Sequence, residues 1–172
     1  SSSVDVSSGV STIYSNGYAF AALKNDGSVV TWGSSNFGGN SSNVEEDLSS
    51  DVSTIYSTAS AFAALKNDGS VVTWGYPSWG GNSSDVNVSS DVSTIYSTGY
   101  AFAALKNNGS VVTWGSSTNG GDSSNVEEDL SSGVSTIYSN DYAFAALKND
   151  GSVVTWGSST NGVVSRSVFL SS

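Results

Sequence analysis

The side chains able to do chemistry are mostly carboxylates, and they cluster. Glu45, Glu46 and Asp47 lie in "NVEEDLSS", and the same segment returns 82 residues later with Glu127, Glu128 and Asp129. Such oxygen-rich runs suggest a hard-cation site or, taken in pairs, the two carboxyls of a glycoside hydrolase. The second role needs one carboxyl with a raised pKa, and a polar segment rich in Ser and Asn supplies no apolar pocket to raise it. The six carboxylates therefore stand as a candidate cation site, weighed against a solvated loop that keeps the surface negative, which fits better.

Other catalytic chemistry lacks its parts. The 172 residues contain no His, Cys or Met, which removes imidazole bases, thiol nucleophiles, soft metal ligands and disulfides. Lys24, Lys66, Lys106 and Lys148 each precede an Asn-Asp or Asn-Asn pair at a turn, where local turn pairing explains them better than Schiff-base chemistry. No catalytic residue, resident metal or cofactor is expected, and the protein reads as a non-enzyme.

The remaining candidates are aromatic. The segment after each Trp-Gly reads "SSNFGGN", "YPSWGGN", "SSTNGGD" and "SSTNGVV", so Phe37, Trp79, Asn119 and Asn161 occupy one slot. Because Asn fits that slot twice, the slot is not core, and Phe37 and Trp79 are expected at the surface. With Tyr76 and Pro77 beside it, Trp79 is suited to stack on a sugar or enter a partner's pocket. The plainer alternative is that each ring lies over its own loop or against the next unit.

These residues must be held by something regular, and the sequence is a tandem repeat. Trp32, Trp74, Trp114 and Trp156 are spaced by 42, 40 and 42 residues, the period of a propeller blade or solenoid coil. The units run roughly over 9-50, 51-90, 91-132 and 133-172 of a single domain, 1-172. Each contains "VSTIYS", "AFAALK" and "SVVTWG", three short segments rich in β-branched and aromatic residues between Gly, Asn, Asp and Ser clusters, which predict strands. Gly27, Gly69, Gly109 and Gly151 stand where a tight hairpin needs positive φ. In "AFAALK", Phe20, Ala22 and Lys24 share one side and Ala19, Ala21 and Leu23 the other, so both faces are apolar and each sheet needs neighbours on both. Helical periodicity is absent. The fold class is all-β, with four small sheets that bury their faces on one another, either radially as blades or stacked along a line.

The string "AFAALKNDGSVVTWG" followed by a Gly-rich turn resembles the repeat of the RCC1 family, the β-propellers named for the regulator of chromosome condensation. The resemblance covers all four copies and implies an RCC1-like β-propeller, either a closed four-unit ring or an open segment of a larger array. The chain departs from the family in carrying Ala19, Ala61, Ala101 and Ala143 where a His usually heads the apolar strand. It also has four units where about seven close the family's ring. The loops behind the founding member's nucleotide exchange and chromatin binding have no counterpart here, so the resemblance implies the blade and not that activity. The last copy ends "GVVSRSVFLSS"; "SVFL" reads as a further strand, able to latch onto the N-terminal "VDVSS" in a closed ring or to cover the final edge in an open one.

Fifteen acidic residues against five basic ones, a net charge of -10, argue against nucleic-acid binding and against an intracellular RCC1-like regulatory scaffold that would meet chromatin. The longest apolar run falls far short of the ~20 residues that span a bilayer, so no membrane insertion is expected. Low Lys with abundant Ser, Gly and Asn suggests an extracellular or cell-surface location, where Asn40, Asn82, Asn87 and Asn108 offer Asn-x-Ser glycan acceptors. The function expected is a non-enzymatic structural or adhesive β-repeat protein, a segment of a larger surface protein or a self-assembling fibre. The alternative is a carbohydrate- or protein-binding propeller that uses the loop aromatics. Partners are then a second copy, another protein or a glycan.

Overall fold

Asn-Asp-Gly turns between two β-prone segments build each sheet from a hairpin and one further strand. The computed structural model describes residues 4–164, and their strands are β1 Val10–Ser15, β2 Ala19–Lys24, β3 Val29–Gly33, β4 Val52–Ser57, β5 Ala61–Lys66, β6 Val71–Gly75, β7 Val92–Ser97, β8 Ala101–Lys106, β9 Val111–Gly115, β10 Val134–Ser139, β11 Ala143–Lys148 and β12 Val153–Gly157. They form four antiparallel sheets in the orders β1-β2-β3, β4-β5-β6, β7-β8-β9 and β10-β11-β12. Short 3-10 turns fill part of the connections. The all-β expectation holds.

The hairpin glycines have φ of 80–86° as expected. The third strand begins at Val29 rather than Ser28, because Asp26 Oδ1 accepts from both the Ser28 amide (2.9 Å) and hydroxyl (2.6 Å) and keeps Ser28 in the turn. A register shift at Val10 and Thr12, repeated in every unit, bulges the first strand. Towards the other end of the sheet, Phe62 pairs with Trp74 across β5 and β6 with ring centroids 5.3 Å apart, and the other three units repeat the stack.

Consecutive sheets pack face to face. Between the first two, Ala19, Ala21, Leu23, Val29 and Leu48 meet Val52, Ile55, Phe62, Ala64 and Trp74. Equivalent residues fill the next two interfaces. Alanines on one face let the Phe-Trp stack of the neighbour approach closely, which is the small-against-large packing the sequence called for. The indole N–H of Trp74, Trp114 and Trp156 donates to Gly38, Gly80 and Gly120 of the preceding unit, each at 3.1 Å.

Among the described residues no further sheet covers either end of this series. Ile55, Ile95 and Ile137 are at most 3% exposed, whereas their equivalent in the first sheet, Ile13, is 57% exposed; Phe20 is 45% exposed where Phe62 is fully buried. On the last sheet Tyr138 and Val153 are 62% and 59% exposed. Of the two arrangements the sequence left open, the described residues form the open segment. Residues 4–8, the "VDVSS" half of the expected latch, form no strand, and "SVFL" lies outside the described residues.

Candidate functional site

The candidate surface lies at one end of the sheets, where the turn between the first two strands of each unit faces the loop leaving the third. Asn16, Thr58, Thr98 and Asn140 occupy equivalent places in that turn. Each side chain accepts from the amide three residues on, at 2.8–3.0 Å. Each also donates to the carbonyl oxygen of Phe37, Trp79, Asn119 or Asn161, at 2.7–3.0 Å. One polar residue thus fixes the turn and clamps the loop holding the variable slot. The sequence did carry a signal for it, an Asn or Thr in all four copies at a fixed 21-residue offset from that slot.

A second set of bonds ties the turns to one another. The Gly17 amide donates to Ala59, that of Ala59 to Gly99 and that of Gly99 to Asp141, at 2.9–3.1 Å. The result is a main-chain ladder running from the first unit to the fourth.

On this frame the aromatic side chains form a continuous row. Tyr18 meets Phe37 at 4.5 Å between centroids, Phe37 meets Tyr76 at 5.8 Å, Tyr76 meets Trp79 at 5.4 Å, Trp79 meets Tyr100 at 4.7 Å and Tyr100 meets Tyr142 at 5.9 Å. Phe37 and Trp79 were expected at the surface; they are half-buried, because each is flanked by rings from its own and neighbouring units. Tyr18, Tyr76 and Tyr142 are the exposed members. Tyr18, Tyr100 and Tyr142 were not singled out from sequence, since their slot looks like the end of a strand. Copy two has Ser60 there, fully buried with its hydroxyl unpartnered. A shallow groove beside the row is lined by Asn36, Phe37, Asn40, Asn43, Tyr76 and Pro77, so amides border the rings.

The acidic side chains take no part in the ring contacts of the row. Leu48 and Leu130 are buried and give their carbonyl oxygens to the Val29 and Val111 amides at 2.9 Å. Glu45, Glu46, Asp47, Glu127 and Glu128 are exposed beside them and Asp129 is half-buried. The two runs stand on the first and third units, and no group of three or more His, Cys, Asp or Glu able to hold a metal occurs among the described residues. The lysines differ from the local pairing expected of them. Lys24, Lys66, Lys106 and Lys148 reach back 19 residues to the carbonyl oxygens of Asp5, Asp47, Asn87 and Asp129, at 2.6–3.2 Å. Each stands at the end of the middle strand beneath its unit's lead-in segment, which for Lys66, Lys106 and Lys148 comes from the preceding unit, so these three tie two units together.

The remaining electrostatics belong to turns. Asp26, Asp68 and Asp150 are held below the ordinary carboxylate pKa by hydrogen bonds from the Ser28, Ser70 and Ser152 hydroxyls and then from the amides of the same residues. Burial raises the pKa of Tyr56, packed between units. Asn40, Asn82, Asn87 and Asn108 are all exposed. No helix among the described residues is long and apolar enough to cross a membrane.

Neither protein-family models nor curated protein sequences match the chain. Solved structures do. Prp20p of Saccharomyces cerevisiae, studied for its binding to Gsp1p and histones, superposes with a TM-score of 0.58 at 19% identity over 86% of this chain and 44% of its own. The ectodomain of the receptor kinase CR4 from Physcomitrella patens gives 0.55 at 16% identity, covering 87% of this chain and 38% of that one. Human WBSCR16 gives 0.54 at 19% identity, covering 86% and 47%. The chain spans less than half the length of these structures. The structure of Kap60 bound to yeast RCC1 (Prp20) gives the same TM-score of 0.58, at 19% identity over 86% of this chain and 43% of that one. Four three-stranded blades in series, tied by tryptophan bonds and uncovered at both ends, are the RCC1-like β-propeller repeat fold in an open segment.

Proposed function

We propose that the chain is a non-enzymatic structural or adhesive module of the cell exterior, a rigid propeller segment that holds a protein or glycan partner against its aromatic row. The observation that carries this reading is the row itself, six rings crossing four units on a frame of clamped turns. Such rings give large contact area at low conformational cost. Amides along the neighbouring groove add hydrogen-bonding groups suited to sugar hydroxyls or peptide. The negative surface opposes phosphate and chromatin, and the bare chemistry of the site leaves binding rather than turnover. A receptor-kinase ectodomain among the solved structures supports the location, since this fold serves outside the cell there.

The test is binding of the labelled chain to panels of immobilised glycans and extracellular proteins, repeated with Tyr76→Ala and Trp79→Ala. Loss of at least ~10-fold in affinity, the size of a modest hot-spot residue, with an unchanged far-UV spectrum would support the reading. Variants that bind as well as the parent, or a parent that binds nothing on either panel, would contradict it.

A further inference from the structure

The two uncovered ends are the two halves of one interface that the chain already makes three times. On the head, the first sheet presents Ile13 and Phe20, whose equivalents Ile55, Ile95, Ile137, Phe62, Phe102 and Phe144 are all buried against a preceding unit. On the tail, the last sheet presents Tyr138 and Val153. Their equivalents Tyr14 and Val29 pack against the second sheet, and Tyr96 and Val111 against the fourth.

The lead-in segment matches too. Lys24 binds the Asp5 carbonyl as Lys66 binds that of Asp47, which makes Val6 the counterpart of Leu48, Val88 and Leu130. Those three are 1–5% exposed against the sheet before them, while Val6, with no sheet before it, is 46% exposed. A Cβ at Gly27, Gly69 or Gly109 would meet the lead-in backbone of the next unit within 2.9 Å, yet one at Gly151 meets nothing within 4 Å. Among the described residues the ladder of turn amides stops at an unused Asp141 N–H on the tail and an unused Gly17 carbonyl on the head. One feature departs: Val163 replaces the glycine of the other three loops, where a Cβ would strike the preceding backbone at 2.4–2.5 Å, so the tail has no copy of the loop that receives the tryptophan bond.

We propose that a second copy of this chain docks head to tail, its residues 4–9 and its first sheet (β1–β3) covering the outer face of the last sheet (β10–β12). Val6 of the incoming copy lies against Val153, Ile13 and Phe20 face Tyr138, and the Asp141 amide donates to the incoming Gly17 carbonyl. The interface is heterologous, so it propagates unless the rotation brings it to closure. Each copy carries a charge of -10, and added salt therefore strengthens the contact by screening repulsion. The proposal rests on the terminal faces and not on the aromatic row, so either can fail without the other.

The test is light scattering of the 172-residue chain and two variants, Ile13→Glu for the head and Val153→Glu for the tail. Both sites are more than half exposed, and melting temperatures close to the parent's check that each variant folds. The parent should gain mass with concentration, and more steeply in ~0.5 M salt, where the Debye length is only ~4 Å. Each variant alone should stay at the mass of one chain, because a carboxylate would be buried unpaired. An equimolar mixture should double that mass and stop, since one intact head meets one intact tail. A parent that stays monomeric at every concentration and salt would overturn the proposal, whether the chain's own residues 165–172 or nothing covers the tail. So would variants that assemble alone or a mixture that remains monomeric. Trp79→Ala should assemble as the parent does.

Discussion

The indole N–H of Trp74 donates to the main-chain oxygen of Gly38 at 3.1 Å, reaching from one sheet into the turn of the sheet before it. The bond joins two units through groups that are both buried, so removing the donor leaves a carbonyl unsatisfied. Trp74→Phe and Trp114→Phe are therefore expected to destabilise the chain by about 1–3 kcal/mol beyond the volume lost. Trp32 makes no such bond among the described residues, and Trp32→Phe should cost less. Chemical denaturation of the three variants would check the order, and equal losses would count against it.

Glycine does two different jobs in these repeats, and substitution separates them. Gly120 has φ 102°, and a Cβ there would stand 2.5 Å from the Phe144 ring of the next unit. Gly120→Ala must displace a buried ring and should destabilise by more than ~3 kcal/mol, beyond ordinary overpacking. Gly151 has φ 86° with open space around it. Gly151→Ala carries only the left-handed backbone cost of about 1–2 kcal/mol. Thermal melts of the pair should differ clearly; matching melts would show that the units do not interlock at Gly120.

Acid should loosen the hairpin turns. Asp26, Asp68 and Asp150 have depressed pKa values in the folded chain, from their bonds to Ser28, Ser70 and Ser152. A carboxylate depressed by folding stabilises the native state above its unfolded pKa of about 3.9 and loses that contribution as pH falls from there through the lower folded value. The third unit uses Asn108, whose Oδ1 accepts the same two bonds at 3.0 and 2.7 Å without titrating. Replacing all three aspartates by Asn should flatten the fall of melting temperature below pH 4. An unchanged acid slope would place the sensitivity elsewhere.

The strands and turns were legible because near-identical copies average out accident. A glycine four times at the same hairpin position, or apolar residues on both sides of "AFAALK", has a single local explanation. What the sequence hid was set by contacts between units. For Phe37 and Trp79 the sequence left either a surface ring or one packed on its own loop or the next unit, and it could not name the partners in the next unit, Tyr76 and Tyr100. Lys66 looked like part of its own turn, but its ammonium reaches the preceding unit at Asp47. The open ends were invisible for a related reason: Ile13 and Ile55 sit in the same "VSTIYS", and only the presence or absence of a neighbouring sheet distinguishes them.

Amide hydrogen exchange resolved by segment, on dilute chain below the concentration at which its mass rises, tests the open four-unit architecture most directly. The interior strands β5 and β8, covered on both faces, should exchange slowest, with β1 and β12 markedly faster. Equal protection of all four sheets would mean that the first and last units cover each other, and the chain would be a closed ring.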